Sequence, residues 1–220
     1  TQHSVKLLRE VGIQPDFIIA RSEEPLDDVR KKKISLFCNV KEENVISDPN
    51  LEIIYELPII FESQGLGKKI LKKFGLKARK RNLGNWKKAV ERIKNLKRSV
   101  KVFIVGKYFD IGKFRLPDAY VSVIEAVRHA SWSLGVKPEM KFIDSKTFER
   151  NPKEIKLLKE ANGIIVPGGF GTTGVEGKIL AIKYCREKNI PYLGLCFGLQ
   201  LAVVEFARNV CGLKDAHTTE

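Results

Sequence analysis

The spacing of apolar and polar positions changes character near residue 100. Before that point the pattern is irregular. Val5, Leu7, Leu8 and Val11 recur at helical spacing and stop at Gly12, and residues 16–20 (DFIIA) are apolar enough for a fully buried strand. Residues 26–38 predict a basic amphipathic helix entered through Pro25 and the pair Asp27-Asp28, whose charge suits a helix N-terminus. Val45-Ile46 reads as a short strand, and 57–75 as mostly helical. Residues 77–99 form a candidate linker; within it Trp86, Ala89, Val90, Ile93 and Leu96 give 85–96 one apolar face, which predicts docking on a neighbour.

From Val100 onward short apolar runs alternate with amphipathic stretches. The pattern predicts strands at 100–105, 140–143, 163–166 and 190–195, and helices at 118–134, 152–161, 175–188 and from Leu199. The first of these helices should turn Val121, Ile124, Val127 and Ala130 inward. Repeated β-α units imply an α/β fold with a parallel sheet, helices on both faces, and function at the carboxyl ends of the strands.

Composition adds bounds. An apolar fraction of 43% fits a core-forming globular protein. No apolar run approaches a membrane span and the polar opening is no signal peptide, so the expectation is a soluble, cytoplasmic protein. Cys38, Cys185, Cys196 and Cys211 are widely spaced without a C-x-x-C pattern, so neither a disulfide framework nor a zinc site is indicated. The net charge of +14 is concentrated: residues 68–101 hold fifteen Lys/Arg and one acid, Glu91, and the rest of the chain is balanced. Such a segment raises nucleic acid or an anionic partner. With only Phe74 and Trp86 available for stacking, a solvated linker is the preferred reading, which argues against nucleic acid.

The candidate chemistry lies at two strand ends. An apolar run from Ile190 stops at Gly194-Leu195-Cys196-Phe197-Gly198, and a helical pattern begins at once. That is the layout of a nucleophile elbow with cysteine in the serine position; the flanking glycines avoid collisions in a tight turn, and a helix N-terminus favours the reactive thiolate. The alternative is a buried structural cysteine. One β-α unit upstream, Pro167-Gly168-Gly169-Phe170-Gly171 follows a strand and can aim backbone N–H groups into a cleft, as an oxyanion hole requires. A triad also needs a histidine. His3 falls in the other half of the chain, His129 sits mid-helix, and His217 lies close to Glu220. No G-x-x-x-x-G-K-[ST] cradle for phosphate is present.

Together the elbow and the glycine loop resemble a class I (triad) glutamine amidotransferase domain. The wider wording resembles the CTP synthase family: Val166 to Gly177 (VPGGFGTTGVEG), Gly194 to Phe206 (GLCFGLQLAVVEF), Ala216 to Glu220, Val105 to Tyr108, Leu116 to Tyr120, and in the first third Thr1 to Val5, Ile13 to Asp16 and Ser35 to Val40. The resemblance covers nearly the whole chain and implies the middle of a longer polypeptide. On it, 1–76 would be the C-terminal part of a P-loop-type amidoligase domain, 77–99 a basic helical linker, and 100–220 the N-terminal part of a flavodoxin-like glutaminase domain. It implies ATP-dependent amination of UTP to CTP with ammonia released from glutamine, using ATP and Mg2+ with metal ligands outside this chain. GTP would be the allosteric activator, CTP a feedback inhibitor and a homotetramer the assembly.

The resemblance also assigns residues. Cys196 becomes the nucleophile, and Gly169 and Phe197 the oxyanion hole. Gly169, Phe197, Gly198, Leu199, Gln200 and Glu220 become the glutamine pocket, with Glu220 facing the substrate's α-amino group. Thr1, Gln2 and Lys33 fall on the UTP/CTP site, and Pro49, Asn50 and Leu51 on adenine-side backbone contacts. The family's catalytic His-x-Glu comes later than residue 220, which leaves His217 non-catalytic. For GTP, Thr173 stands where relatives often carry arginine and Val121 where some carry lysine, and the insertion 109–115 adds Lys113 and Arg115 nearby. Two alternatives from other classes stay open at this point. One is a stand-alone cysteine hydrolase or amidase of flavodoxin-like fold; the other is a basic nucleotide- or RNA-binding protein.

Overall fold

The computed structural model describes residues 1–79, 82–107, 110–111, 114–115, 117–169 and 171–219, with the side chains at 110–111, 114–115 and 117–118 outside that description. The chain divides into two compact units, 1–94 and 95–220, and the boundary falls inside the expected linker segment.

In the first unit, α1 (Gln2–Glu10), β1 (Ile18–Ser22), α2 (Asp28–Cys38) and β2 (Val45–Pro49) are followed by the helices α3 (Leu57–Ser63), α4 (Leu66–Lys73) and α5 (Gly84–Lys94). The two strands pair in parallel, with Ile18 opposite Val45 and Ser22 opposite Pro49. Val5, Ile18, Ala20, Cys38 and Val40 form the core between them and α1 and α2. Asp27, the N-cap of α2, acts as expected: its side chain accepts from the Arg30 N–H at 2.7 Å, satisfying one of the donors that a helix start leaves open. The amphipathic α5 packs within this unit, with Val90 buried and Trp86 Nε1 donating to the Tyr55 carbonyl at 2.8 Å.

The second unit is regular. Its elements are β3 (Arg98–Gly106), β4 (Asp110–Ile111), β5 (Phe114–Arg115), α6 (Val121–Ser133), β6 (Val136–Asp144), α7 (Lys146–Arg150), β7 (Gly163–Val166), α8 (Val175–Lys188), β8 (Tyr192–Gly194) and α9 (Phe197–Asn209). Four strands form a parallel sheet in the order β6-β3-β7-β8, and β4 and β5 pair as a separate antiparallel ribbon. Phe103 and Val105 of β3 enter one core with Phe148, Leu158, Ile164, Val166, Ile179, Phe197 and Leu201, while Ile104 enters a second with Tyr120, Ile124 and Ile165. A strand buried on both faces explains why β3 reads as an unbroken apolar run. Among the described residues, no helix is long and apolar enough to cross a membrane.

Two expectations need correction. Val121 is 57% exposed and Ala130 is exposed, so neither faces inward as a core position. Residues 117–120 form a 3₁₀ turn, whose rotation per residue exceeds that of an α-helix, so Tyr120 rather than Val121 starts the buried arc through Ile124. The stretch 152–160 is likewise a 3₁₀ helix throughout. On α9 one arc is covered: Leu201 and Val204 are buried, and Leu199, Val203 and Phe206 are exposed.

Candidate active site

The site grows from the junction of β8 and α9. Cys196 stands between them with φ 52° and ψ −112°, a backbone conformation that favours glycine. Two missing side chains permit the turn. A Cβ on Gly198 would lie 2.0 Å from the Val166 carbonyl oxygen, and one on Gly194 would lie 2.6 Å from the Gly198 carbonyl carbon. Both are far inside contact distance, so the elbow exists because β7, β8 and α9 can touch backbone to backbone. The Leu195 N–H donates to Val166 O at 3.0 Å and locks the turn to the neighbouring strand. Cys196 emerges exposed at the carboxyl end of the sheet.

The glycine loop after β7 arrives at the same place. Gly168 is so close to the elbow that a Cβ on it would meet Cys196 Cβ at 3.4 Å and Sγ at 3.7 Å. Gly169 follows with φ 148°; Phe170, between it and Gly171, lies outside the described residues. At the elbow, Gly198 N–H is taken by Leu195 O, and Leu199 and Gln200 N–H by Cys196 O. The N–H of Phe197 heads α9, where a helix offers no internal acceptor. The glycine loop and the start of α9 thus meet at one thiol.

The electrostatics point the same way. Lys178, in the first turns of α8, is fully buried, and its Nζ donates to Pro167 O at 3.1 Å and Gly168 O at 3.5 Å. Lys107, just after β3, is also buried and donates to Gly171 O at 2.6 Å. Both ammonium groups lie under 6 Å from the centroid of the buried Phe197 ring, at 5.6 and 5.7 Å. Burial pulls Lys178 down to about 8; the nearby Lys107 charge acts in the same direction and Cys196 opposes it. Burial, with help from Lys146, also lowers Lys107. Cys185 is a buried thiol: burial pushes it up to about 12, so it is inert. Sequence reasoning missed both lysines as site elements. The available signal for Lys178 was a lysine set directly against the apolar run Ile179-Leu180-Ala181-Ile182.

The expected residues are distributed as follows. Cys196, Gly169, Phe197, Gly198, Leu199 and Gln200 come together at the elbow, and Thr218 Oγ1 donates to Gln200 Oε1 at 2.9 Å, bringing the chain end beside it. Glu220 lies outside the described residues. His217 is exposed, with its Nδ1 engaged by the Thr218 N–H at 2.9 Å; His129 faces Glu125 at 3.9 Å. Among the described residues, no histidine is hydrogen bonded to Cys196. In the first unit, Thr1 caps α1, Gln2 opens it, and Lys33 is exposed on α2. Pro49 ends β2, while Asn50 N–H donates to Ser22 O at 2.9 Å and its side chain accepts from Arg21 Nε at 3.3 Å. Two cavities of that unit, about 460 and 400 Å³, are lined by other residues, Lys69 and Glu43 among them. Thr173 and Val121 are both exposed, Lys113 lies outside the described residues, and of Arg115 only the backbone is described.

Comparison with known proteins then decides the family. Residues 1–76 match the family model for the CTP synthase N-terminus, and 115–219 match class I glutamine amidotransferase. This chain belongs to the CTP synthase family. Along its whole length it is 53% identical to the CTP synthase of Pyrococcus abyssi, 52% to that of Sulfolobus acidocaldarius and 46% to that of Thermus thermophilus. It spans about 40% of the length of these CTP synthases. A solved glutaminase domain of Trypanosoma brucei CTPS, with bound acivicin, superposes with a TM-score of 0.50 at 39% identity, over 56% of this chain and 46% of that one. That likeness agrees with the flavodoxin-like fold of the second unit.

Proposed function

We propose that this segment serves the glutamine-dependent amination of UTP to CTP, with residues 1–76 closing the amidoligase domain, 77–99 as linker and 100–220 opening the glutaminase domain. The reading rests above all on the exposed Cys196 thiol held at a positive φ against the glycine loop. Cys196 attacks the carboxamide carbon of glutamine; the oxygen becomes an oxyanion between the N–H groups of Gly169 and Phe197; ammonia leaves; and water releases glutamate from the thioester. The buried ammonium groups of Lys107 and Lys178 add positive potential where negative charge develops. Gly198, Leu199, Gln200 and Glu220 complete the glutamine pocket. The base is assigned to the family's His-x-Glu rather than to His217, whose ring faces its own backbone.

In the first unit, Thr1, Gln2 and Lys33 are assigned to UTP and CTP, Lys33 as a point charge for a triphosphate. Pro49, Asn50 and Leu51 sit at the carboxyl end of a parallel strand pair, the usual place for a ligand in such a sheet. The Asn50 N–H is already engaged, so backbone carbonyls are the contacts left for an amine-bearing base edge. ATP would activate the pyrimidine oxygen for displacement by ammonia. Mg2+ would be held by ligands outside this segment. GTP activation, CTP feedback, a homotetramer and a cytoplasmic location complete the proposal. The test is Cys196→Ala in a chain of the relatives' full length. Glutamine-dependent CTP formation should fall to background while ammonia-dependent formation stays within about twofold. Equal loss of both activities would make Cys196 structural.

A further inference from the structure

Lys178 is a buried cation without an obvious reason to be one. The groups that bear on it most strongly are a second lysine, Lys107, and the Cys196 thiol, not a carboxylate. Burying an ammonium is expensive unless it is compensated by other groups. Here the compensation comes from two carbonyl oxygens, those of Pro167 and Gly168, and from the face of Phe197. Those carbonyls belong to the loop that lies against the thiol. The Gly168 carbonyl is held from a second side as well: Tyr120 Oη donates to it at 3.5 Å while accepting the Lys107 N–H at 3.3 Å.

The peptide between Gly168 and Gly169 is trans. In a trans peptide the C=O and N–H point in opposite directions. Fixing the Gly168 oxygen toward Lys178 and Tyr120 therefore fixes the Gly169 N–H away from them, on the side left for a substrate oxygen. Gly169 has no Cβ and a φ of 148°, so without that grip the peptide could rotate. We propose that Lys178 is a positioning residue for the oxyanion pocket: by holding the Pro167 and Gly168 carbonyls, with Tyr120 as second clamp, it presets the direction of the Gly169 N–H. The inference rests on the reading of Gly169 as an oxyanion donor.

The test uses a chain of the relatives' full length and the variants Lys178→Met and Tyr120→Phe. Glutamine hydrolysis is followed as kcat and KM, and alkylation of Cys196 by iodoacetamide, which needs the thiol but no oxyanion pocket, is timed in parallel. Losing an oxyanion donor outright costs about 10²–10³ in kcat, and misaiming one less. Lys178→Met should therefore lower kcat roughly 10- to 100-fold, with KM changed less than about threefold and the alkylation rate within about twofold at its high-pH plateau, where the thiol is fully ionised and the lost Lys178 charge no longer sets the thiolate fraction. Unchanged kcat, or alkylation slowed in proportion to kcat, overturns the proposal. If Lys178→Met does not fold, Tyr120→Phe decides: a drop in kcat with normal alkylation supports the clamp, and an unchanged kcat overturns it. Glutamine hydrolysis that survives Cys196→Ala would instead overturn the nucleophile reading, independently of Lys178.

Discussion

The strain at the elbow can be measured by removing one carbon atom. Cys196→Ala and Cys196→Gly both delete the thiol, and because Cys196 is exposed, neither opens a cavity. They differ only in the Cβ, which at φ 52° and ψ −112° sits in a region L side chains rarely adopt. Such a conformation costs about 1–3 kcal/mol. Glycine returns about 0.4–1 kcal/mol of this through the greater freedom of its unfolded chain. The glycine variant should therefore be the more stable of the two by about 0.5–2 kcal/mol. Each unit holds one tryptophan, Trp86 in the first and Trp132 in the second. A Trp86→Phe background lets Trp132 fluorescence report urea unfolding of the second unit alone. A glycine variant no more stable than the alanine variant would mean that the elbow is not strained, and the argument from its backbone would fail.

Gly198→Ala should do the reverse: a Cβ 2.0 Å from Val166 O forces α9 off β7, so about 3 kcal/mol or more should be lost in urea unfolding. An alanine variant within about 1 kcal/mol of the wild type would show that the elbow has slack. A pH series checks Lys178. Its value falls from 10.5 to about 8 on folding, so between pH 8 and 10.5 the unfolded chain binds the extra proton and stability rises with pH. That difference corresponds to roughly 3 kcal/mol. Cys185, raised to about 12, pulls the other way above its ordinary value of 9.0. Because Cys185 is common to both chains, the stability of wild type minus Lys178→Met isolates the lysine, and it should grow by about 2–3 kcal/mol from pH 7.5 to 10.5. A flat difference would place Lys178 in contact with water.

The second unit was largely legible because apolar strand runs alternate with amphipathic stretches; β6 was read only from Met140, since the exposed Lys137 and Glu139 interrupt its first half. The elbow and the glycine loop were legible for a sharper reason: Gly194 and Gly198 mark places where backbones meet, at 2.6 and 2.0 Å from an added Cβ, and Gly168 marks where the loop meets the Cys196 side chain, at 3.4 Å. What escaped was the direction of side chains. Val121 was placed inward because periodicity carries no phase of its own, and a single 3₁₀ turn shifted it. Lys178 escaped because a lysine in sequence reads as solvent-facing; only the loop folding over it reveals two carbonyls in its path. In the first unit the order of elements could be read, but Thr1, Lys33 and Asn50 lie on three different elements, and spacing along the chain does not tell how such residues meet.

The order of the sheet has a consequence for motion. Among the described residues, β3 pairs with β6 over nine positions and with β7 over three, whereas β8 is three residues long and pairs with β7. Within this segment, local opening reaches a strand of three residues at lower free energy than one of nine, so backbone amides exchange with solvent sooner at β8 than at β3. The thiol is thus mounted on a short rail of the frame. Its placement is held from beneath, by the packing of Phe197, Leu201 and α8 against β7, more than by the ladder of the sheet itself. A destabilising change in that packing, far from the thiol in sequence, therefore reaches the nucleophile before it reaches the fold.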